Sequence, residues 1–170
     1  MIKNQKVRFI SHASLIAASY IVLTMLTSLF GLSSGAIQCR LSEALCILPY
    51  FTSAAIPGLS VGCLIANLFT PGTNIFDVIF GTLATTLGAL GTYYLSKICK
   101  KAKWICSIPP ILANALIVPF VLKYAYSLGD SIVFLMITVG AGEVISVGIL
   151  GNVLLYALIP YQNKIFTQNK

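Results

Sequence analysis

Apolar residues along this chain collect into six runs, over residues 9–30, 37–55, 56–69, 77–96, 105–126 and 131–159. A bilayer-spanning helix takes roughly 20 residues, so the runs predict six transmembrane α-helices, some short and some long. The polar breaks are brief, as at Gly31-Leu32-Ser33-Ser34-Gly35. Pro57, Pro71 and Pro109-Pro110 fall at or near predicted starts, where a missing N–H costs least, whereas Pro49 and Pro119 fall inside runs and predict kinks. The first run follows a basic start but, at about 22 residues, is longer than a signal-peptide core, and no A-x-A site follows it. It reads as a mature helix.

Composition agrees with the pattern. The chain is 58% hydrophobic and 9% charged with a mean hydropathy of +0.93, whereas soluble domains carry charge on about a quarter of their residues. Six spans take about 120 residues and leave about 50 for loops and termini. The expectation is one transmembrane domain over residues 1–170, with no soluble domain and any nucleotide energy supplied by partners.

The net charge of +7 is a topology signal and does not call for nucleic acid. Nine of the eleven Lys and Arg residues lie before the first run, between Lys97 and Lys103, or in the tail. The positive-inside rule then places both termini in the cytoplasm, with Arg40 and Lys123 toward the outer ends of helices two and five. The five cysteines show no CxxC pair or zinc spacing and read as small packing residues.

Ionisable groups inside a bilayer are costly and mark functional sites unless they reach water or a partner. Arg40 and Glu43, in Gln38-Cys39-Arg40-Leu41-Ser42-Glu43, are three residues apart and share a helical face. They form either a self-paired ion bridge or part of a pocket open to the outside. Glu143 lies about 12 residues, roughly 18 Å of helix, below the outer end of the last span. Its small flanks, Gly140-Ala141-Gly142, Ser146 and Gly148, permit close helix contact or close approach of a ligand. Asn67 and Asn114 are interhelical glue or ligand contacts. Together with Gln38 these residues suit a flat, hydrogen-bonding heterocycle.

Other positions read more plainly. Asp77 reads as a helix N-cap, Asp130 as a loop charge and Trp104 as an interfacial anchor. His12 is the sole histidine and has no neighbouring ligands, so no metal is expected. There is no phosphate-cradling loop, Ser-His-Asp set or metalloprotease pattern, so neither an enzyme nor a cofactor is expected. Ala13 and Ala17, with Ser14 and Ala18 beside them, make a small-residue stripe that serves an internal helix or a foreign subunit.

The motifs Gln38-x-Arg40-x-Ser42-Glu43-Ala44-Leu45, Ala54-Ala55-Ile56-Pro57-Gly58-Leu59 leading to Gly62-Cys63-Leu64-Ile65-Ala66-Asn67-Leu68, Asp77-Val78-x-Phe80-Gly81, Pro109-Pro110 with Asn114-Ala115, and Gly142-Glu143 cover most of the chain. On these the chain resembles the six-helix substrate-binding S-components of energy-coupling factor (ECF) transporters, specifically the QueT group for queuosine precursors. The resemblance implies a bacterial multi-pass cell-membrane protein that binds a 7-deazaguanine such as queuine. It implies docking, through Ala13 and Ala17, on a transmembrane coupling protein that carries two cytoplasmic ATPases. A guanine-like edge presents adjacent N–H donors to one carboxylate, Glu143 or Glu43, and a carbonyl to a donor such as Asn or Arg. The competing readings are a stand-alone proton-coupled carrier and an S-component for a different vitamin-like ligand.

Overall fold

The computed structural model describes residues 2–31, 40–99, 101–127 and 129–166. Among these described residues every regular element is a helix and none is a strand. α1 (Ile2–Leu29) leads to a 3₁₀ segment (Leu41–Tyr50), α2 (Ala55–Phe69) and α3 (Ile75–Ile98). A 3₁₀ turn (Lys103–Ser107) runs into α4 (Ile108–Tyr124). The last run joins α5 (Ile132–Glu143), a π-helical segment (Val144–Gly151), α6 (Asn152–Leu158), a 3₁₀ turn (Ile159–Tyr161) and α7 (Gln162–Ile165).

Among the described residues four stretches are long and apolar enough to cross a membrane: Gln5–Leu29, Ile75–Ile98, Lys103–Tyr124 and Ile132–Ile165. The other two helical segments are shorter. The second expected span is corrected most: its core is a ten-residue 3₁₀ helix, not a long α-helix. At about 2.0 Å per residue it reaches about 20 Å, and α2 at about 1.5 Å per residue about 22 Å, short of a hydrocarbon core of about 30 Å. Irregular backbone persists at membrane depth only where protein encloses it. The 3₁₀ segment meets this condition by packing among α1, α2, α3, α6 and the π segment, with Ser42, Glu43 and the stretch from Cys46 to Pro49 buried.

Local chemistry sets the helix starts. Asn74, not Asp77, caps α3: its side chain accepts the Phe76 N–H at 3.1 Å, and Asp77 sits inside the first turn. Pro109 and Pro110 occupy the first turn of α4, as expected, and the helix continues past Pro119 to Tyr124. Ser131 caps α5 by accepting the Phe134 N–H at 3.2 Å.

The small-residue stripe of α1 serves an internal contact. A Cβ on Gly58 would lie 2.7 Å from the Ala13 carbonyl oxygen, and one on Gly62 would lie 3.1 Å from Ala17 Cα and 2.9 Å from Tyr20 Cβ. Ala17 is buried, and Ala13 is half-buried, whereas Ser14 and Ala18 on the adjacent face are exposed. Ala17→Leu is therefore expected to wedge α1 from α2 and cost about 1–3 kcal/mol, read as a lowered thermal unfolding midpoint in detergent.

The bundle is apolar outside and encloses a cluster of polar side chains within a largely apolar core. Leu15, Leu26, Ile79, Leu116, Ile137 and Val153 are exposed, while Glu43, Asn67, Asp77, Asn114 and Glu143 are buried. An apolar groove of about 590 Å³ between α3 and α4, lined by Phe80, Leu83, Leu116 and Phe120 among others, lies on this outer surface. Phe166 stacks on Phe51 at 5.1 Å and meets His12 edge-on at 6.1 Å, which brings the first part of α1 and the end of α7 together toward one end of the bundle. The residues joining α2 to α3, and α4 to α5, lie at the other end, called here the loop end.

Candidate substrate-binding site

The buried polar residues gather in two tiers. In the deeper tier the threefold repeat of the 3₁₀ helix aligns Glu43 with Cys46, because side chains three apart eclipse. Cys46 donates to Glu43 Oε2 at 3.1 Å, and Asn114 of α4 donates to the same oxygen at 3.4 Å. The Tyr20 hydroxyl of α1 donates to Glu43 Oε1. One turn along α1, the Thr24 hydroxyl donates to Ser42 Oγ at 2.8 Å and fixes the 3₁₀ segment against the helix. Glu43 is thus a carboxylate held by three neutral donors from three elements.

Glu143 lies at the same level. α5 and the π segment run beside α4, with Gly140 placed against Ala115 and Gly148 against Ile111. Those two contacts bracket Asn114 on one helix and Glu143 on the other. Glu143 ends α5 where the π segment begins, and it is 7% exposed. π segments inside α-helices recur at functional sites, because the wider turn re-aims the side chains around it.

The upper tier centres on Arg40, whose backbone is extended (φ −96°, ψ 109°) just before the 3₁₀ segment. Its guanidinium reaches Asp77 of α3 at 3.6 Å and Asn67 Oδ1 of α2 at 3.4 Å. Of the two readings of Arg40 and Glu43, the self-paired bridge is thereby set aside. An extended residue does not share a helical face with the residue three on, and Arg40 turns instead to a carboxylate 37 positions away. Asn67 in turn donates to the Asp77 carbonyl and to Cys63 Sγ, each at 3.4 Å. Among the described residues Arg40 Nε makes no hydrogen bond although it is buried. A guanidinium donor in that position has capacity for a further acceptor.

The structure therefore brings Arg40, Glu43, Asn67, Asn114 and Glu143 into one polar core between the 3₁₀ segment and α1 to α5. Gln38 lies outside the described residues. Three participants escape the sequence reading: Tyr20, Asp77 and Tyr126. Tyr20 continues the Ala13, Ala17 face by one turn, a signal open to a reader who extends the stripe. Asp77 follows Asn74, the better capping residue, and that frees its carboxylate for another role. Tyr126, just past α4, gives no signal in the sequence, since its hydroxyl bonds at 3.2 Å to an Asp77 oxygen 49 residues away. No group of His, Cys, Asp and Glu side chains able to hold a metal occurs among the described residues.

Residues 10–160 match the QueT transporter family. The chain belongs to the QueT transporter family. A curated relative, the queuosine precursor transporter QueT of Lactococcus lactis subsp. cremoris (strain MG1363), is 36% identical over 83 residues. That stretch is 49% of this chain and 48% of the relative, so the match spans about half the length of each. No solved structure matches the chain. Family membership and the apolar exterior together make this chain a multi-pass cell-membrane protein of a transporter family, and the relative is bacterial.

Proposed function

We propose that this chain is the membrane-embedded substrate-binding subunit of an ECF-type importer for a queuosine precursor, a 7-deazaguanine. The observation that carries the reading is the buried polar core. Three carboxylates, one arginine and two amides sit at membrane depth in a member of a transporter family, where apolar packing would be less costly unless the groups serve a ligand. A deazaguanine offers a planar edge with two adjacent N–H donors and a carbonyl. Glu43 already accepts from three donors, which leaves one of its roughly four lone-pair positions. The two-donor edge is therefore assigned to Glu143, the carbonyl to Arg40, and a single further contact to Glu43. Asn67 and Asn114 align these groups.

Energy comes, in this reading, from a transmembrane coupling protein with two cytoplasmic ATPases, and both termini of this chain face the cytoplasm. Because Ala13 and Ala17 are engaged with α2, the docking face is the neighbouring ridge of α1 that carries the exposed Ser14 and Ala18. Two measurements test the whole. The purified chain should bind 7-aminomethyl-7-deazaguanine in an equilibrium titration and ignore adenine; equal binding of the two would overturn the ligand. In proteoliposomes, uptake should require the coupling protein, the ATPases and ATP. Uptake by this chain alone, driven by a pH gradient, would instead make it a self-sufficient carrier.

A further inference from the structure

The upper tier does not end at Arg40. The Tyr126 hydroxyl donates to Asp77 Oδ2 at 3.2 Å and accepts the backbone N–H of Asn74 at 2.9 Å. Asn74 adds a second tie across the same junction, donating from its side-chain amide to the Ala125 carbonyl at 3.3 Å. A continuous chain of contacts thus runs from the residues between α2 and α3, through Tyr126 and Asp77, to Arg40 and Asn67. The one proton of the hydroxyl goes to Asp77, and its lone pair takes the Asn74 N–H, so both bonds stand or fall together. The next residue, Ser127, holds a left-handed backbone (φ 52°), uncommon outside glycine, directly after the residue whose hydroxyl spans the two connections.

We propose that Tyr126 is a positioning residue that couples closure of the loop end to the seating of Arg40: with its hydroxyl bonded, the two connections are latched and the Arg40–Asp77 pair is formed over the core. When the latch releases, the loop end opens to water, and Arg40 is free to swing with it. Neither the chain's family nor its relative's name assigns Tyr126 a role. The inference rests on reading the polar core as a ligand site, but the latch itself has a readout that needs no ligand.

Cys63 provides that readout. It is fully buried, and its sulfur accepts from Asn67 directly beneath Arg40 and from Thr85 at 3.4 Å. In detergent-solubilised protein whose other cysteines are replaced by serine, the rate at which 2-aminoethyl methanethiosulfonate modifies Cys63 reports opening above the core. Tyr126→Phe keeps the ring, which packs on the Val118, Leu122, Leu135 and Val139 cluster, and deletes only the hydroxyl. It should speed modification by about tenfold while the thermal midpoint moves little, the pattern expected of a local opening rather than global unfolding. Asn74→Ala, which removes the second tie, should act in the same direction and serves if the first variant does not fold. An unchanged rate in either folded variant would overturn the latch. Protection of Cys63 by excess 7-aminomethyl-7-deazaguanine in the parent is a separate arm: its absence, beside faster modification in Tyr126→Phe, would remove the proposed ligand and leave the latch standing.

Discussion

Glu143→Gln is expected to weaken binding of 7-aminomethyl-7-deazaguanine by more than about tenfold while leaving the protein folded. Gln has nearly the shape of Glu, so packing at the α5–π junction is retained. Its amide nitrogen, however, would face one of the two N–H donors of the guanine-like edge, replacing an accepted bond with a donor–donor contact. Hydrogen bonds to a charged group contribute about 1.5–3 kcal/mol each, and about 1.4 kcal/mol is tenfold in affinity. The low dielectric of a buried site increases the penalty for the mismatch. Equilibrium titration in detergent, beside a thermal melt, checks both halves of the expectation. An unchanged dissociation constant would remove Glu143 from the site and return the edge to Glu43.

The second large effect concerns the pair that the fold creates between α3 and the start of the 3₁₀ segment. Arg40 and Asp77 have side chains only 14% and 6% exposed, so removing one partner strands the other in a low-dielectric interior. Arg40→Gln should therefore destabilise the protein by about 3–5 kcal/mol, because among the described residues the Tyr126 hydroxyl is the side-chain donor that remains to Asp77. Asp77→Asn should destabilise it as well, leaving the guanidinium with Asn67. The double variant should recover much of the loss, since a neutral amide pair needs no counter-charge. It should still fail to bind a deazaguanine, because the donor assigned to the ligand carbonyl is gone. A thermal-unfolding double-mutant cycle measures the coupling. Additive losses in the cycle would show that the two charges act independently.

Much of the architecture was legible in the residue pattern because the bilayer imposes it. A hydrocarbon core accepts only long apolar helices, so the runs near 9–30, 77–96, 105–126 and 131–159 announce the four long crossings within a few residues of their observed ends. The candidate polar residues were legible for the same reason: Arg40, Glu43, Asn67, Asn114 and Glu143 stand out against apolar neighbours. The second run was misread in kind. An apolar stretch of its length fits a spanning α-helix equally well on paper, and the choice of a 3₁₀ segment depends on being enclosed by other elements of the bundle. The reading of Asp77 as a cap failed on a local competition that Asn74 won, three residues earlier.

Hydropathy alone determined that this chain lives in a membrane as a helical bundle, and charge against an apolar background marked the side chains that gather in its buried polar core. Both are properties of single positions and short windows. Tertiary structure alone decided who meets whom: Arg40 with Asp77 rather than Glu43, Glu43 with Tyr20 and Asn114, and Tyr126 across the loop end. It also turned the Ala13, Ala17 stripe inward. Those pairings join residues tens of positions apart, and they depend on the depth at which each helix sits and on the face it turns inward. Such distances are set by packing, and a linear pattern does not contain them.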